Sequence, residues 1–296
     1  MSAPPNISPP AIAAEEKFAL LDGRRMRYLQ AGSGPPLLLI HGLLGYSFSW
    51  RFNIAAFAEK HTVYAIDLLG AGFSDRPPGL ECSLTAEAGR LWRFLDQLHI
   101  PVCDVLGTSH GGAVAMVMAG IAPKRVRSLI LPDPVNPWSP HGRLITKILG
   151  SAAGTALTLR LGPHMARTHN FFLRRLYGDQ RRIRPGTLEG YSAGIAAPGT
   201  FDYLSKVVQC WHKDLGVLHQ IFPAIRHIPT LLIWGSRDAA VFVDSAQELR
   251  KQFDNCKLVI FDGVGHLPYE EVPEEFNRVV LEFLSSLEPE GRRTTG

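Results

Sequence analysis

The chain has 296 residues, 46% of them hydrophobic and 20% charged, with a mean hydropathy of +0.03. Such a composition can bury a substantial core and excludes disorder for the bulk of the chain. A formal charge of +4, spread along the sequence, leaves no footprint for nucleic acid. Cys82, Cys103, Cys210 and Cys256 form no C-x-x-C pair, so neither a disulfide framework nor a zinc site is indicated; a soluble, cytoplasmic chain is expected.

Residues 1–14 are rich in Pro and Ala and carry no basic residue ahead of an apolar run, which reads as a flexible tail and not a secretory signal. Phe18 to Leu21, Asp22-Gly23 and Arg24 to Gln30 predict a β-hairpin, because Asp-Gly takes the positive-φ positions of a tight turn. Pro36 to Ile40 is a continuous apolar run ending at His41-Gly42, as expected of a strand buried on both faces. A helix over Trp50 to Lys60 and a strand over His61 to Ile66 follow, then an amphipathic helix over Leu84 to Leu98. The stretch from Val105 to Pro123 is long enough to span a membrane, but Gly107, Gly111, Gly112 and Gly120 interrupt it. It reads better as a strand over Val102 to Leu106 turning into a helix over Gly111 to Gly120, with another strand over Val126 to Leu131.

After a long interval, strands are predicted over Thr230 to Trp234 and Lys257 to Phe261. Between them lies a helix over Val243 to Phe253, whose Ser245 and Glu248 have the spacing of a capping box. A helix over Glu274 to Leu287 closes the chain. Strands alternating with helices imply βαβ units, so the expected fold class is α/β, a mostly parallel central sheet with flanking helices. The core is assigned to 15–134 and 229–288. Residues 135–228, with helical candidates over Ile145 to Leu161 and Phe171 to Tyr177 and no strong strand, form a helical cap over the carboxyl edge of the sheet, and 289–296 a second flexible tail.

The central chemical signal is Gly107-Thr-Ser-His-Gly111, a G-x-S-x-G motif joining a buried strand to a helix. A serine on that sharp turn is lifted above the sheet, and the helix behind it favours a developing oxyanion. Serine needs a base and an orienting carboxylate, expected later in the chain in the order acid, then His. His266, in Gly263-Val-Gly-His-Leu-Pro268, and Asp238, in Trp234-Gly-Ser-Arg-Asp238, both follow strands and complete a catalytic set with Ser109. Asp133 also follows a strand and competes for the acid role; otherwise it caps a turn in Asp133-Pro134. The oxyanion donors are assigned to the backbone N–H of His110 and of Leu43, with Leu44 as fallback, and His41 is expected to hold that loop by hydrogen bonds. His110-Gly111-Gly112 lies after the nucleophile and is not read as a lipase oxyanion motif.

His41-Gly42, Asp67 to Pro77, Gly107 to Gly112, Trp234 to Asp238 and Gly265 to Pro268 together resemble the α/β-hydrolase fold superfamily, in the branch holding carboxylesterases, epoxide hydrolases, haloalkane dehalogenases and meta-cleavage C–C hydrolases. The resemblance runs from about Phe18 to Leu287. Epoxide hydrolases and haloalkane dehalogenases use an Asp nucleophile where this chain has Ser109. Meta-cleavage hydrolases carry Met after the serine and Trp after the histidine, where this chain has His110 and Leu267. The resemblance therefore implies an ester hydrolase of the carboxylesterase or lipase kind, working through an acyl-enzyme without metal or organic cofactor on a small, hydrophobic ester. A C–C hydrolase of ring-fission dienoates is the alternative, and a ligand-binding member of the fold with little or no hydrolysis is a third reading.

From Arg143 to Arg184 there are nine Lys or Arg and one acid, Asp179, a local charge of +8. Apolar residues interleave with them, so the cap can steer an anionic substrate or make a weak contact with a membrane surface; alternatively its apolar face packs on the site while its charges stay solvated. Trp138, Phe171 and Phe172 are expected to line a substrate pocket with Leu44 and Leu267. Oligomeric state is not legible.

Overall fold

The computed structural model describes residues 14–140, 142–165 and 169–287, so the expected tails, Ala14 apart, lie outside the described residues. The opening hairpin forms as its turn chemistry requires. β1 (Glu15–Leu21) and β2 (Arg24–Ala31) pair antiparallel, joined by Asp22 and Gly23 at φ 51° and 75°. β3 (Pro36–Ile40), β4 (Thr62–Ile66), β5 (Cys103–Gly107), β6 (Val126–Pro132), β7 (Thr230–Gly235) and β8 (Cys256–Phe261) complete an eight-stranded sheet in the order β1-β2-β4-β3-β5-β6-β7-β8. All pairs from β4 to β8 are parallel. The chain reverses its direction of travel across the sheet at β3, which lies between β4 and β5. The carboxyl ends of β3 and β5 thus flank the switch point where open α/β sheets bind ligands.

The continuous apolar runs are buried on both faces. Leu38, Ile40, Val105 and Leu131 face one core cluster with α2 (Leu84–Gln97) and α3 (His110–Ile121). Leu37, Leu39, Leu106 and Ile130 face the other, with α1 (Ile54–Ala58) and α11 (Pro273–Ser286). Two expected helices shorten. The helix over Trp50 to Lys60 contracts to a 3-10 turn at Ser47–Trp50 followed by the five-residue α1. The helix over Val243 to Phe253 becomes a 3-10 turn at Val243–Ser245 followed by α9 (Ala246–Arg250). No capping box forms there, because the Ser245 hydroxyl is engaged elsewhere: it donates to the Phe242 carbonyl at 2.9 Å and accepts from Asn136 at 3.0 Å.

Between β6 and β7 come α4 (Arg143–Leu149), α5 (Ala152–Met165), α6 (His169–Leu176), α7 (Thr187–Ile195) and α8 (Thr200–Ile225). The last two were not expected. The 26-residue α8 carries Tyr203, Val207, Leu218, Phe222 and Ile225 on one buried stripe, broken by Asp214. Asp214 is buried because its Oδ2 accepts the Leu84 N–H at 3.2 Å, capping the start of α2, and burial pushes its carboxyl up to about 6. Among the described residues no helix is long and apolar enough to cross a membrane.

Candidate active site

Ser109 lies two residues beyond the end of β5, at the position just before α3, in a conformation few side chains adopt, with φ 53° and ψ −119°. The strain is held by its neighbours: Ser109 N–H donates to Pro132 O at 3.1 Å and Val135 N–H to Ser109 O at 3.0 Å. The flanking glycines are obligatory. A Cβ at Gly107 would collide with the Gly111 carbonyl, and one at Gly111 with the carbonyls of Ile40 and His41.

His266 follows β8 on a loop that α6 and the segment after it cover; its N–H donates to the Leu176 carbonyl at 2.7 Å. Its Nδ1 lies 2.8 Å from Asp238 Oδ2, while Asp238 Oδ1 accepts the N–H of Ala240 at 2.7 Å and of Val241 at 3.0 Å. Burial opposes ionisation of Asp238, but His266 and these donors outweigh it and hold the carboxyl below its ordinary value. An ionised Asp238 only accepts, so the shared proton sits on His266 Nδ1. Ser109 and His266 border one cavity of about 450 Å³. Their side chains are not hydrogen-bonded to each other, a contact that commonly tightens only with substrate.

Asp133, the competing acid, is fully buried beside this pair. β6 and β7 are adjacent and parallel, with Pro132 opposite Ile233, so the residues just past their ends converge. A carboxylate oxygen from each of Asp133 and Asp238 and a ring nitrogen of His266 lie within 4.8 Å of one another. Asp133 Oδ1 accepts the Gly235 N–H at 3.0 Å, whereas Oδ2 is buried with no donor facing it. Burial, and next the charge of Asp238, push the Asp133 carboxyl well above its ordinary value. The two neighbouring carboxyls are thus pushed in opposite directions, Asp133 up and Asp238 down.

The loop after β3 supplies the opposite wall. Gly45 N–H donates to Gly42 O at 3.0 Å, closing a turn in which Leu44 has φ 62°. His41 holds it: Nε2 accepts the Leu68 N–H at 3.1 Å, so Nδ1 donates to Gly42 O at 2.8 Å, and burial keeps the ring neutral. Among the described residues, neither Leu43 N–H nor His110 N–H has an acceptor. Leu43, Leu44 and Leu267 border the cavity.

The His110 side chain turns away, its Nε2 2.7 Å from Glu87 Oε2, while Tyr203 of α8 donates to Glu87 Oε1 at 2.8 Å. Burial resists the Glu87 charge, but these partners hold it below the ordinary value. From α6 and α7, Phe172, Leu173, Arg175, Leu176 and Tyr191 complete the cavity wall. Two expected pocket residues fall elsewhere. Trp138 packs against Phe222 and His219 at ring separations of 5.1 and 6.0 Å, on the α8 side of the core. Phe171 is 60% exposed, edge-on to Phe172, and does not border the cavity. On a helix, adjacent residues cannot face one surface, and Phe172 took the inward position.

Sequence reading missed two acids in α10 (Pro268–Glu271). Glu271 Oε1 accepts the N–H of Gly265 at 2.6 Å and of Gly178 at 2.8 Å, and Oε2 that of Asp179 at 3.2 Å, clamping the His266 loop to the cap. Glu270 pairs bidentately with Arg51 at 2.9 Å and accepts from Tyr177 at 2.5 Å and from Tyr191. The Glu-Glu pair beginning four residues beyond His266 was the available signal.

A strained serine at a sheet switch point, an imidazole held by a carboxylate and a helical cover over both define a class, and a family model described as the alpha/beta hydrolase fold matches residues 35–273. The chain belongs to that family and is a hydrolase of the α/β fold. It is 28% identical over 296 residues to a 2-hydroxymuconate semialdehyde hydrolase of Pseudomonas sp., covering 96% of this chain and 97% of the relative. It is 29% identical over 270 residues to haloalkane dehalogenase 2 of Mycobacterium tuberculosis, covering 87% and 91%. Among solved structures it is similar to a membrane phospholipase A described as a bacterial virulence factor, with TM-score 0.80, 26% identity and coverage of 93% and 87%.

Proposed function

We propose that the chain hydrolyses carboxylic esters through an acyl-enzyme. The observation that carries this reading is the shared cavity: Ser109 and His266 border it, and Asp238 holds His266 Nδ1 from behind. Ser109 Oγ attacks the ester carbonyl as His266 Nε2 takes its proton. The oxyanion receives the N–H groups of Leu43 and His110. His266 then protonates the departing alcohol, and a water repeats the sequence on the acyl group. Ionised Asp238 stabilises the imidazolium formed in both halves. Phe172, Leu173, Leu176 and Leu267 give the cavity an apolar wall suited to a hydrophobic acyl chain.

Arg175 on the same wall supports a second reading, in which it pairs with the carboxylate of a ring-fission dienoate and the nucleophilic step cleaves a C–C bond. The two separate in one comparison. p-Nitrophenyl esters from acetate to palmitate and a chromophoric dienoate are offered to the native chain and to Ser109→Ala. Ester turnover that falls by about 10⁶-fold in the variant supports the first reading. Dienoate loss without ester turnover replaces it with the second.

A further inference from the structure

We propose that the outer faces of α4, α5 and α6 dock on an anionic lipid surface, bringing the mouth of the active-site cavity against it. Among the described residues, eight of the fifteen exposed large hydrophobic side chains lie within residues 144–172, three on α4, three on α5 and two on α6, with exposures from 43% to 72%. Scattered exposed apolar residues are ordinary; a concentration on three short consecutive helices marks a contact surface. The helices are too short to span a bilayer, so the geometry is that of elements lying on it.

The charge pattern selects the occupant. From Pro134 to Gly178 the sequence holds six Lys or Arg and no Asp or Glu. Among the described residues Lys147 on α4, Arg160 on α5, and Arg174 and Arg175 on α6 are in no ion pair, although cations elsewhere on the surface commonly are. A second copy docking face to face would oppose cations to cations with no local acid to offset them. Nucleic acid would leave Leu144, Ile148 and Leu157 without an apolar phase. An anionic lipid surface satisfies both features, each cation near it contributing about 1 kcal/mol.

The surface is continuous with the site. Phe172 is half-exposed yet borders the cavity, with Arg175 one helical turn further on. A lipid ester could therefore pass from the surface to Ser109 along α6. This delivery step rests on the ester-hydrolase reading; the docking does not.

The test is flotation of the full chain with phosphatidylcholine vesicles, alone or with a third of the lipid replaced by phosphatidylglycerol, at low and high salt. Two double variants are compared, Lys147→Glu/Arg160→Glu and Leu144→Ser/Ile148→Ser, all at exposed positions away from the cavity. The expected result is salt-sensitive binding to the anionic vesicles, weakened at least about tenfold in each variant, with melting temperature and p-nitrophenyl acetate hydrolysis unchanged. No flotation at low salt, or equal flotation of all three proteins, overturns the proposal. So does a dimer in solution that Leu144→Ser/Ile148→Ser dissociates, since a second copy then covers the face. Flotation by a chain that turns over no ester leaves the docking standing and sinks the ester reading alone.

Discussion

Asp133 shows how the environment pushes identical side chains in opposite directions. Asp238 has two backbone donors and an imidazole; Asp133 has one donor, full burial and a charged neighbour. Position after a strand singled out both, but which one orients the imidazole depended on which loop reached His266, a matter of tertiary geometry. Asp133→Asn preserves an acceptor for Gly235 N–H and can donate towards Asp238, so kcat on a soluble ester should stay near the native value. Asp238→Asn should lower it by about 10⁴-fold, because an amide misorients the imidazole. Comparable losses in the two variants would show that the acids share one role.

The raised Asp133 pKa also has a sign in stability. The contribution of such a group is fully present below the ordinary carboxylate value and is lost as pH rises towards its folded value, because folding must then take up a proton. Asp133→Asn removes this slope. Its melting temperature relative to the native chain should climb as pH is raised from the ordinary carboxylate range to neutrality. A difference independent of pH would mean that Asp133 is ionised in the folded chain.

At the scale of elements, the loop bearing His266 is fixed by contacts that only small residues and one acid permit. A Cβ at Gly265 would strike the Leu176 carbonyl and Gly178 N, so cap and loop meet backbone to backbone. Glu271 accepts the N–H groups left there. Glu271→Ala would bury unpaired donors at a cost of about 1–3 kcal/mol each, lowering the melting temperature by several degrees and kcat/KM along with it. Unchanged kinetics in a destabilised variant would show that the loop keeps its place without the clamp. The strands were legible because each is a bounded apolar run, buried on both faces. Helix α8 was not, because the residue that breaks its apolar stripe, Asp214, is buried for a partner on α2.

Across the whole molecule, three core acids fasten the cap. Glu87 takes Tyr203, Glu270 takes Tyr177 and Tyr191, and Glu271 takes backbone donors at Gly178 and Asp179. The acid-free stretch at 134–178 fits this division, with the acceptors lying in the core. Arg51 neutralises Glu270 and reaches Thr187 of α7 at 2.8 Å. Arg51→Ala would leave a buried charge unpaired, costing about 3–5 kcal/mol, and the melting temperature should fall by on the order of 10 °C. A fall of a degree or two would mean that water or a proton reaches Glu270. None of these pairings was readable from the sequence, because each joins residues far apart in the chain whose motifs carry no mutual signal. The serine, histidine and glycine motifs were readable because their constraints are local.

The central claim, that Ser109 carries the acyl group, is tested most directly by quenching the native chain with a slowly deacylated p-nitrophenyl ester and mapping the added mass by peptide. The account predicts one acyl group per chain, on the peptide containing Ser109, and none on Ser109→Ala. Ester turnover with no acyl adduct, or an adduct on another residue, would contradict it.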